Sequence, residues 1–336
     1  MRILVFGAGA IGSVLGGLLA EADHDVTLLG RAWHLDAVRR HGLTITGLWG
    51  EHHLPACAPP ASLCEAKRGG SGGCWLSTAT DPAKITQPQE FDWVFVCVKA
   101  HQTAEAAQVL QRLLGPRTLV CAFQNGLGNY ETLIQLLSPS RVALGRIIFG
   151  AEIEPGQVRV TVCADEVLLG APDDRFPREQ VERLAAALRA SGIPSRPTET
   201  IVIALWAKAL YNCALNGLST LLEVPYGKLL DHGLARRMIQ AIIEEAYCVA
   251  AAHHLPLDPP EASAYLHLLF GRLIPETAAH QSSMLQDLRR GRPTEIEALN
   301  GALVQLARQA GLEAPINALV TRLVHCKEQF VLSYSP

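Results

Sequence analysis

A lysine and two asparagines share one face of a long apolar segment in the second half of the chain. Lys208, Asn212 and Asn216 are spaced four residues apart, so in a helix their side chains point in similar directions. Their neighbours are Ala, Leu and Trp, and polar groups buried there without partners would cost considerable free energy. An acidic neighbour or an oxygen-rich anionic ligand would satisfy them, which indicates a binding site. A purely structural polar seam is the alternative.

Acidic and hydroxyl groups that could complete such a site follow in a later segment. The letters Thr294-Glu-Ile-Glu297 are typical of a capping box that opens a helix. Glu295 would then lie at the first helical position, where the helix dipole favours a carboxylate. Ser282 and Ser283 lie shortly upstream and offer hydroxyls to a substrate carboxylate. The pair Glu244-Glu245 is a further candidate for an anion at the site.

A glycine turn near the N-terminus predicts a nucleotide site. Residues 3–12 read Ile-Leu-Val-Phe-Gly-Ala-Gly-Ala-Ile-Gly, a short apolar strand that runs into a G-x-G-x-x-G turn. Gly7 would allow the tight turn, Gly9 would let backbone approach a pyrophosphate, and Gly12 would let the next helix pack closely. Unpaired N–H groups at the start of that helix would face the phosphates. The predicted cofactor-binding residues here are Gly7, Ala8, Gly9, Ala10, Ile11 and Gly12. A glycine-containing strand–helix turn without a ligand is the alternative.

The end of the second predicted strand, residues 26–29, indicates which dinucleotide binds. An acidic residue there would hold the ribose 2′-hydroxyl of NAD, but this chain has Gly30-Arg31. A guanidinium can bind a 2′-phosphate through charge-assisted, bidentate hydrogen bonds. The sequence therefore favours NADP over NAD, unless Arg31 is only a solvated surface residue.

Two more polar residues follow predicted strands of the same domain. Lys99 ends the letters Val96-Cys-Val-Lys99, and Asn125 lies in the glycine-rich turn at 123–128. Ligands of doubly wound sheets bind outside the carboxyl ends of the strands. Lys99 could therefore meet a phosphate or a substrate charge, and Asn125 the nicotinamide side or a substrate carbonyl. Each could equally be a turn or surface residue.

Two kinds of scaffold are needed to position these residues. The first half alternates strands and helices, which is typical of a parallel, doubly wound sheet. From Thr198 onward, apolar residues recur at helical spacing without a convincing strand. The predicted fold class is α/β, with an N-terminal doubly wound Rossmann-type sheet followed by an all-α C-terminal domain. The predicted domains are 1–197 for the dinucleotide and 198–336 for substrate and catalysis, with 191–197 as their connector. The predicted helices include 178–190, 198–223, 233–253, 260–273, 295–310 and 315–331.

Residues 55–90 are predicted to be a surface insertion with little fixed structure, because they contain Pro59-Pro60 and the run Gly69–Gly73. No metal site is expected in or beside this stretch. Its histidines and cysteines have spacings that match no usual set of zinc ligands: His52, His53, Cys57, Cys64 and Cys74.

Length and composition exclude several classes of protein. The 336 residues, 49% of them hydrophobic, suit two globular domains. Lys plus Arg number 29 against 32 Asp plus Glu, so no basic field indicates nucleic acid or an anionic membrane as partner. Nine cysteines and no visible secretory signal predict reduced thiols in the cytoplasm. Residues 201–222 are long enough to cross a bilayer, but the lysine and asparagines within them favour a buried helix.

Taken in order, these motifs resemble the ketopantoate reductase (2-dehydropantoate 2-reductase) family. The resemblance covers nearly the whole chain apart from residues 55–90. It implies NADPH-dependent reduction of 2-dehydropantoate to pantoate, a step toward coenzyme A. The matching motifs are the glycine turn, Val98-Lys99-Ala100 with Gln102, Asn125-Gly-Leu-Gly128, Trp206-Ala-Lys208 with Asn212 and Asn216, Ser282-Ser-Met-Leu-Gln-Asp287, and Thr294-Glu-Ile-Glu297 with Asn300-Gly301.

The resemblance also implies a role for each candidate residue. Lys208 would be the proton donor, and Glu295 would help to orient the lysine and the cofactor. The implied substrate-binding residues are Asn125, Lys208, Asn212, Asn216 and Ser283. The implied cofactor-binding residues beyond the glycine turn are Arg31, Lys99, Asn125, Ala151 and Glu295.

One residue departs from the family pattern. The letters Pro225-Tyr226-Gly227 stand where a Pro-Asn-Gly turn with a substrate-facing asparagine is expected. Tyr226 could replace that contact, fill part of the pocket, or indicate another 2-oxo acid. The alternatives are therefore an NAD(P)-dependent reductase of another 2-oxo acid and a non-catalytic NADP-binding sensor. A small 2-oxo acid is the expected partner, and a homodimer is compatible with the sequence.

Overall fold

The computed structural model describes residues 1–56, 76–85 and 90–334. The chain divides into two compact units, Met1–Gln124 with Asn129–Ile201, and Asn125–Gly128 with Val202–Pro336. Each unit has its own hydrophobic core. Cys57, Cys64 and Cys74 lie outside the described residues, as do the diproline and the glycine run of the predicted insertion.

The first unit is built on strands. They are β1 (Arg2–Phe6), β2 (Asp25–Leu29), β3 (Leu43–Gly47), β4 (His52–Leu54), β5 (Leu76–Ala79), β6 (Trp93–Val96), β7 (Leu119–Ala122), β8 (Val142–Arg146), β9 (Phe149–Glu154), β10 (Gln157–Cys163), β11 (Val167–Gly170) and β12 (Ser195–Pro197). Eight of them form one sheet in the order β12-β11-β8-β7-β6-β1-β2-β5, parallel throughout except between β8 and β11. From β5 to β8 this is the 3-2-1-4-5-6 order of the Rossmann fold. The predicted doubly wound sheet is confirmed.

Five helices accompany the strands of the first unit: α1 (Ala10–Glu21), α2 (Ala32–His41), α3 (Thr103–Leu113), α4 (Asn129–Ile134) and α5 (Arg178–Ala190). The last has the predicted bounds. Its Val181, Leu184 and Leu188 are buried, as expected from apolar residues at helical spacing.

A second, smaller sheet has the order β4-β3-β10-β9 and was not predicted. It packs on α1, where a Cβ atom placed on Gly17 would lie 2.6 Å from Ile45 Cδ1. Its strands β3 and β10 pair in parallel although they lie far apart in the sequence. Such a distant pairing leaves no local sign in the sequence beyond the alternation of each strand.

Two stretches in which the sequence predicted no strand contain one each. Leu76–Ala79, inside the predicted insertion, pairs in parallel with β2 over four residues. Ser195–Pro197, inside the predicted connector, pairs in parallel with β11 at the edge of the sheet, where a proline is tolerated. The two strands were missed because tertiary pairing stabilises strands too short to show a pattern of their own.

The second unit consists of helices in the part of the chain that is described. They are α6 (Ile201–Leu222), α7 (Tyr226–Leu230), α8 (Gly233–Ala252), α9 (Ala262–Leu268), α10 (Ile274–Glu276), α11 (Ser283–Arg289), α12 (Asn300–Gln309) and α13 (Pro315–Tyr334). A π-helical turn, Leu269–Leu273, and a 3₁₀ turn, Ile296–Ala298, complete the unit. The predicted all-α second domain is confirmed.

Helix α6 is the central element of the second core. Among the described helices it alone is long and apolar enough to span a bilayer, and over half of its most apolar stretch is buried in the protein. Cys213, Ala214 and Leu215 are completely buried. This burial is that of a core helix, as its interrupted apolar sequence predicts.

Candidate functional site

The glycine turn after β1 depends on two glycines for its shape. Gly7 has a φ of +112°, a region that favours glycine, and a Cβ atom there would lie 2.6 Å from Val98 N. A Cβ atom on Gly12 would lie 2.2 Å from the Gly7 carbonyl oxygen. Both positions therefore require glycine, because the obstacle is backbone that cannot move aside.

Around Gly9 the same turn is open. A Cβ atom on Gly9 would have no heavy atom within 4 Å, and Gly9 precedes the first residue of α1. The next three residues, Ala10, Ile11 and Gly12, form the first turn of α1, where a helix supplies no acceptor for N–H groups. Space and N–H donors at a helix start are what a phosphate needs, so these residues fit a dinucleotide.

Arg31 lies beside this turn. It precedes α2, and its neighbour Gly30 packs so closely on Ala8 that a Cβ atom on Gly30 would lie 2.8 Å from Ala8 Cβ. The Arg31 side chain is exposed, and within the described ranges it has no hydrogen-bond or ion-pair partner. A guanidinium in this position fits a 2′-phosphate.

Lys99 and Ala151 occupy different sheets of the first unit. Lys99 directly follows Val98, whose backbone meets Gly7, and so it lies at the carboxyl edge of the large sheet next to the glycine turn. Ala151 lies in β9 of the small sheet, paired with Val160. Their roles toward a cofactor stay predictions.

A small polar cavity lies within the second unit. Four of its walls come from separate chain segments: the turn at Asn125, helix α6, helix α11 and the turn after Glu295. Most of the lining is polar. The lining residues are Asn125, Asn212, Asn216, Ser283, Met284, Asp287, Glu295 and Leu299. The structure thus brings together five residues that the sequence singled out.

Lys208 is not itself a lining residue but contacts one. Its Nζ donates a 2.6 Å hydrogen bond to Asn125 Oδ1, and Asn125 itself lines the cavity. The side chain is half-buried. On the predicted common face of α6, Asn212 and Asn216 therefore line the cavity, and Lys208 contacts the lining residue Asn125.

The turn that carries Asn125 is held by backbone contacts within the second unit. Leu127 N donates to Ala298 O at 2.8 Å. Gly126 has a φ of +87°, and a Cβ atom there would lie 2.4 Å from the same carbonyl oxygen. Glycine at this position allows the close approach that places Asn125 beside Lys208.

The two serines at the start of α11 have different roles. Ser282 is completely buried, and its Oγ accepts from Leu285 N at 3.1 Å while pairing with Thr220 Oγ1 at 2.9 Å. It therefore caps the helix and is not a substrate hydroxyl. Ser283 is exposed and lines the cavity.

Asp287 is a cavity residue that sequence reasoning missed. It is only 7% exposed and lies one helical turn beyond Ser283, so both side chains reach the same face of α11. The four-residue spacing within the Ser282–Asp287 motif could have indicated it.

The predicted capping box at Thr294–Glu297 is wrong. Thr294 N donates to Glu328 Oε1 of α13 at 2.6 Å, and Glu297 Oε1 bonds His325 Nε2 at 2.7 Å. These partners on α13 take the Thr294 N–H and the Glu297 carboxylate away from each other, while Thr294 Oγ1 accepts from Ile296 N at 3.3 Å and not from the N–H of Glu297. A 3₁₀ turn therefore follows Glu295, and α12 begins only at Asn300. Glu295 is nevertheless 8% exposed and lines the cavity.

The sequence suggested that Glu244 or Glu245 contributes an anion to the site, but neither residue lines this cavity. Glu245 accepts hydrogen bonds from Ile316 N at 2.7 Å and Asn317 N at 2.9 Å, so it caps the start of α13. Glu244 accepts from Gln240 Nε2 on its own helix. Their function is structural.

Comparison with known families decides what kind of protein this is. Residues 3–174 match the family model described as Ketopantoate reductase PanE/ApbA, and residues 200–328 match Ketopantoate reductase PanE/ApbA C terminal. The chain belongs to the ketopantoate reductase family. Membership confirms the family resemblance and the expected class of enzyme, an NADPH-dependent oxidoreductase.

Individual relatives extend over the full length of the chain. The 2-dehydropantoate 2-reductase of Aquifex aeolicus is 34% identical over 333 residues, which cover 99% of this chain and 98% of that protein. The crystal structure of a PanE/ApbA family ketopantoate reductase from Ralstonia eutropha matches with a TM-score of 0.82 at 30% identity, covering 98% and 99% of the two chains. D-mandelate dehydrogenase, solved with NADH and anilino(oxo)acetate, matches with a TM-score of 0.83 at 28% identity over 98% and 99%.

Proposed function

We propose that the protein reduces 2-dehydropantoate to pantoate with NADPH, as a cytoplasmic step of pantothenate and coenzyme A biosynthesis. The observation that carries the proposal is the polar cavity of the second unit, with Lys208 bonded to its lining residue Asn125. The names of the full-length ketopantoate reductase relatives support the choice of substrate. A homodimer, with which the sequence is compatible, belongs to the same proposal.

The cofactor would be held by residues of the first unit. The N–H groups at the start of α1 and the open space at Gly9 fit the pyrophosphate. Arg31 would bind the 2′-phosphate, which is the basis for preferring NADPH to NADH. Lys99 would add a positive charge beside the glycine turn. When bound, the reduced nicotinamide supplies the hydride.

Lys208 is proposed to donate the proton that completes the reduction. A ketone carbon that receives a hydride leaves an alkoxide oxygen, which needs a proton and a nearby positive charge as it forms. The ammonium of Lys208 can provide both. Its 2.6 Å bond to Asn125 Oδ1 fixes the direction of Nζ, and Glu295 would help to orient the lysine.

The remaining lining residues are proposed to hold the 2-oxo acid. The carboxamides of Asn212 and Asn216 can donate to oxygens of the substrate, and the exposed Ser283 hydroxyl can both donate and accept. Several polar contacts from rigid helices would restrict the substrate to one orientation for hydride addition.

The test is the loss of NADPH absorbance on adding 2-dehydropantoate, followed by Lys208→Ala. Removing a general acid should lower kcat by about 10²- to 10⁴-fold, with a smaller change in the KM for NADPH. Lys228→Ala is the matched control, because Lys228 is an exposed lysine of α7 paired with Asp231. A Lys208→Ala enzyme with near-normal kcat would refute the proton-donor role, and absence of turnover by the unaltered protein would refute the substrate.

A reductase of another 2-oxo acid is the second candidate. Two observations favour it: Tyr226 departs from the expected turn sequence, and D-mandelate dehydrogenase has the same fold at 28% identity. The two candidates differ in kcat/KM for 2-dehydropantoate against 2-oxoisovalerate and phenylglyoxylate. A higher value for either of the latter would favour this candidate.

A further inference from the structure

Tyr226 is a buried tyrosine whose hydroxyl is hydrogen-bonded to a residue of the cavity lining. It is the first residue of α7 and is 2% exposed. Its Oη donates a short hydrogen bond to Asn216 Oδ1, and Asn216 lines the cavity while Tyr226 does not. The phenol therefore contacts Asn216 from the side away from the open space.

Neighbouring rings fix the position of this phenol. The ring of Tyr226 packs edge-on against Tyr211, with centroids 5.8 Å apart, and lies 5.2 Å from the ring of His280. Its backbone N–H donates to His280 O at 3.0 Å. A ring held on two sides and at its backbone offers a rigid donor, since buried aromatic side chains have few alternative rotamers.

The direction of the hydrogen bond follows from chemistry. Burial raises the pKa of Tyr226 well above its ordinary value, with a smaller effect from Tyr211, so the phenol stays protonated at neutral pH. A carboxamide has its acceptor on one atom and its two donors on the other. Because Oδ1 of Asn216 is directed at the phenol, the NH₂ on the opposite side of the carboxamide is the group turned toward a ligand.

We infer that Tyr226 is a positioning residue for substrate recognition: it holds the Asn216 carboxamide so that Asn216 presents N–H donors to an acceptor oxygen, the carboxylate of a 2-oxo acid. This inference rests on the proposed function and names the part of the substrate that Asn216 binds. Asp287 and Glu295 bring carboxyl groups to the same cavity. An anionic substrate end is repelled by such groups and attracted by donors, so the carboxylate belongs at the amide side.

A side chain that only filled this space would need no hydroxyl. Burying a hydroxyl costs free energy unless it is hydrogen-bonded, and phenylalanine would fill nearly the same volume. Tyr211, whose ring packs on Tyr226, is a half-buried tyrosine whose hydroxyl is bonded outside the cavity lining. This hydroxyl pairs with Thr277 Oγ1 at 2.5 Å, and Thr277 is not a lining residue.

The experiment is a double-mutant cycle of Tyr226→Phe and Asn216→Ala, with Tyr211→Phe as the matched control. Tyr226→Phe keeps the ring and removes the donor, so the KM for the 2-oxo acid should rise about 3- to 10-fold, with kcat and the KM for NADPH nearly unchanged. In the Asn216→Ala background, Tyr226→Phe should have no further effect on kcat/KM. Tyr211→Phe should leave all three parameters within about twofold of the unaltered enzyme.

Two results would overturn the inference. Additive effects of Tyr226→Phe and Asn216→Ala would show that Tyr226 does not act through Asn216, and an unchanged KM would show that the hydroxyl has no part in binding. Asn216→Asp gives a second test, because a carboxylate in this position cannot donate; it should abolish calorimetric binding of pantoate to the enzyme–NADP complex, and retained binding would refute the donor role. If the unaltered enzyme turns over another 2-oxo acid but not 2-dehydropantoate, the proposed function fails, whereas the cycle still tests Tyr226 with that substrate.

Discussion

The two units of the molecule present their candidate functional groups in different ways. In the first unit the groups are mainly backbone N–H donors of one continuous segment, the turn from Gly7 to Gly12 at the start of α1. In the second unit they are side chains from four separate segments that meet around one cavity. The first arrangement depends on the absence of side chains, and the second depends on how side chains are held.

This difference predicts different sensitivities to mutation. A backbone site is as rigid as the strand–turn–helix that carries it, and its weak points are glycines. A side-chain site relies on long-range bonds, such as Leu127 N to Ala298 O and Thr294 N to Glu328 Oε1. Loss of such a bond should affect the site before it affects the fold, since the apolar core of the unit remains.

The largest effects are expected from two alanine substitutions in the glycine turn, which test whether the site of the first unit depends on the absence of side chains. Gly12→Ala places a methyl group 2.2 Å from the Gly7 carbonyl and should destabilise the first unit by about 3 kcal/mol or more, measured by thermal unfolding. In the protein without cofactor, the methyl group of Gly9→Ala meets open space, so this variant should unfold at the same temperature as the unaltered protein. It should nevertheless weaken NADPH binding by at least about tenfold, because the methyl group occupies the space proposed for the pyrophosphate.

Calorimetric titration of both variants with NADPH completes this test. If Gly9→Ala bound NADPH as tightly as the unaltered protein, the open space at Gly9 would not be a phosphate site. The glycines of the turn would then serve helix packing alone.

Arg31 is the exception in the first unit, since it acts through a side chain. Arg31→Ala should raise the KM for NADPH by about 10- to 100-fold through loss of charge-assisted bonds to the 2′-phosphate. The KM for NADH should change little, so the ratio of the two KM values is the measurement. Arg40→Ala, at an exposed arginine of α2 whose Nε donates to Asp36 O, is the control. Equal changes for both cofactors would contradict a 2′-phosphate site.

Elements with a strong local pattern could be predicted from the sequence. The helix Arg178–Ala190 has the expected bounds, because its apolar residues recur at helical spacing over three turns. The strands β5 and β12 could not be predicted, because they contain four and three residues and depend on pairing with β2 and β11. The small sheet was missed because it depends on the pairing of β10 with β3, which lies far away in the sequence.

Candidate site residues divide along a similar line. Spacing within one helix correctly placed Asn212 and Asn216 together, since helix geometry is local. It could not show that Glu245 would cap a distant helix, nor that α13 would bind Glu297 and so remove the capping box. Those outcomes depend on which side chain of another element lies within hydrogen-bond distance, and no local pattern encodes that.

The smallest expected effect concerns the long-range contacts of α13 that hold the segment on both sides of Glu295, from Thr294 to Glu297. His325 bonds Glu297 through Nε2 and Glu328 through Nδ1, both at 2.7 Å, and Glu328 accepts from Thr294 N. Burial of the ring opposes protonation, but the two carboxylates outweigh it and raise the pKa of His325. Protonated His325 therefore stabilises the fold fully below the pKa of an unfolded histidine, and this contribution disappears as the pH rises through the folded-state value.

His325→Gln should consequently lower the free energy of unfolding at about pH 6 and have almost no effect at about pH 9. The loss should stay below about 1 kcal/mol, because the His325 side chain is 39% exposed and solvent screens its ion pairs. Denaturant unfolding at the two pH values measures the difference, and His267→Gln, at an exposed histidine of α9, is the control. If the loss of unfolding free energy caused by His325→Gln were the same at both pH values, the charged contacts would not hold this segment. The side chains around the cavity would then be held by the apolar core of the second unit alone.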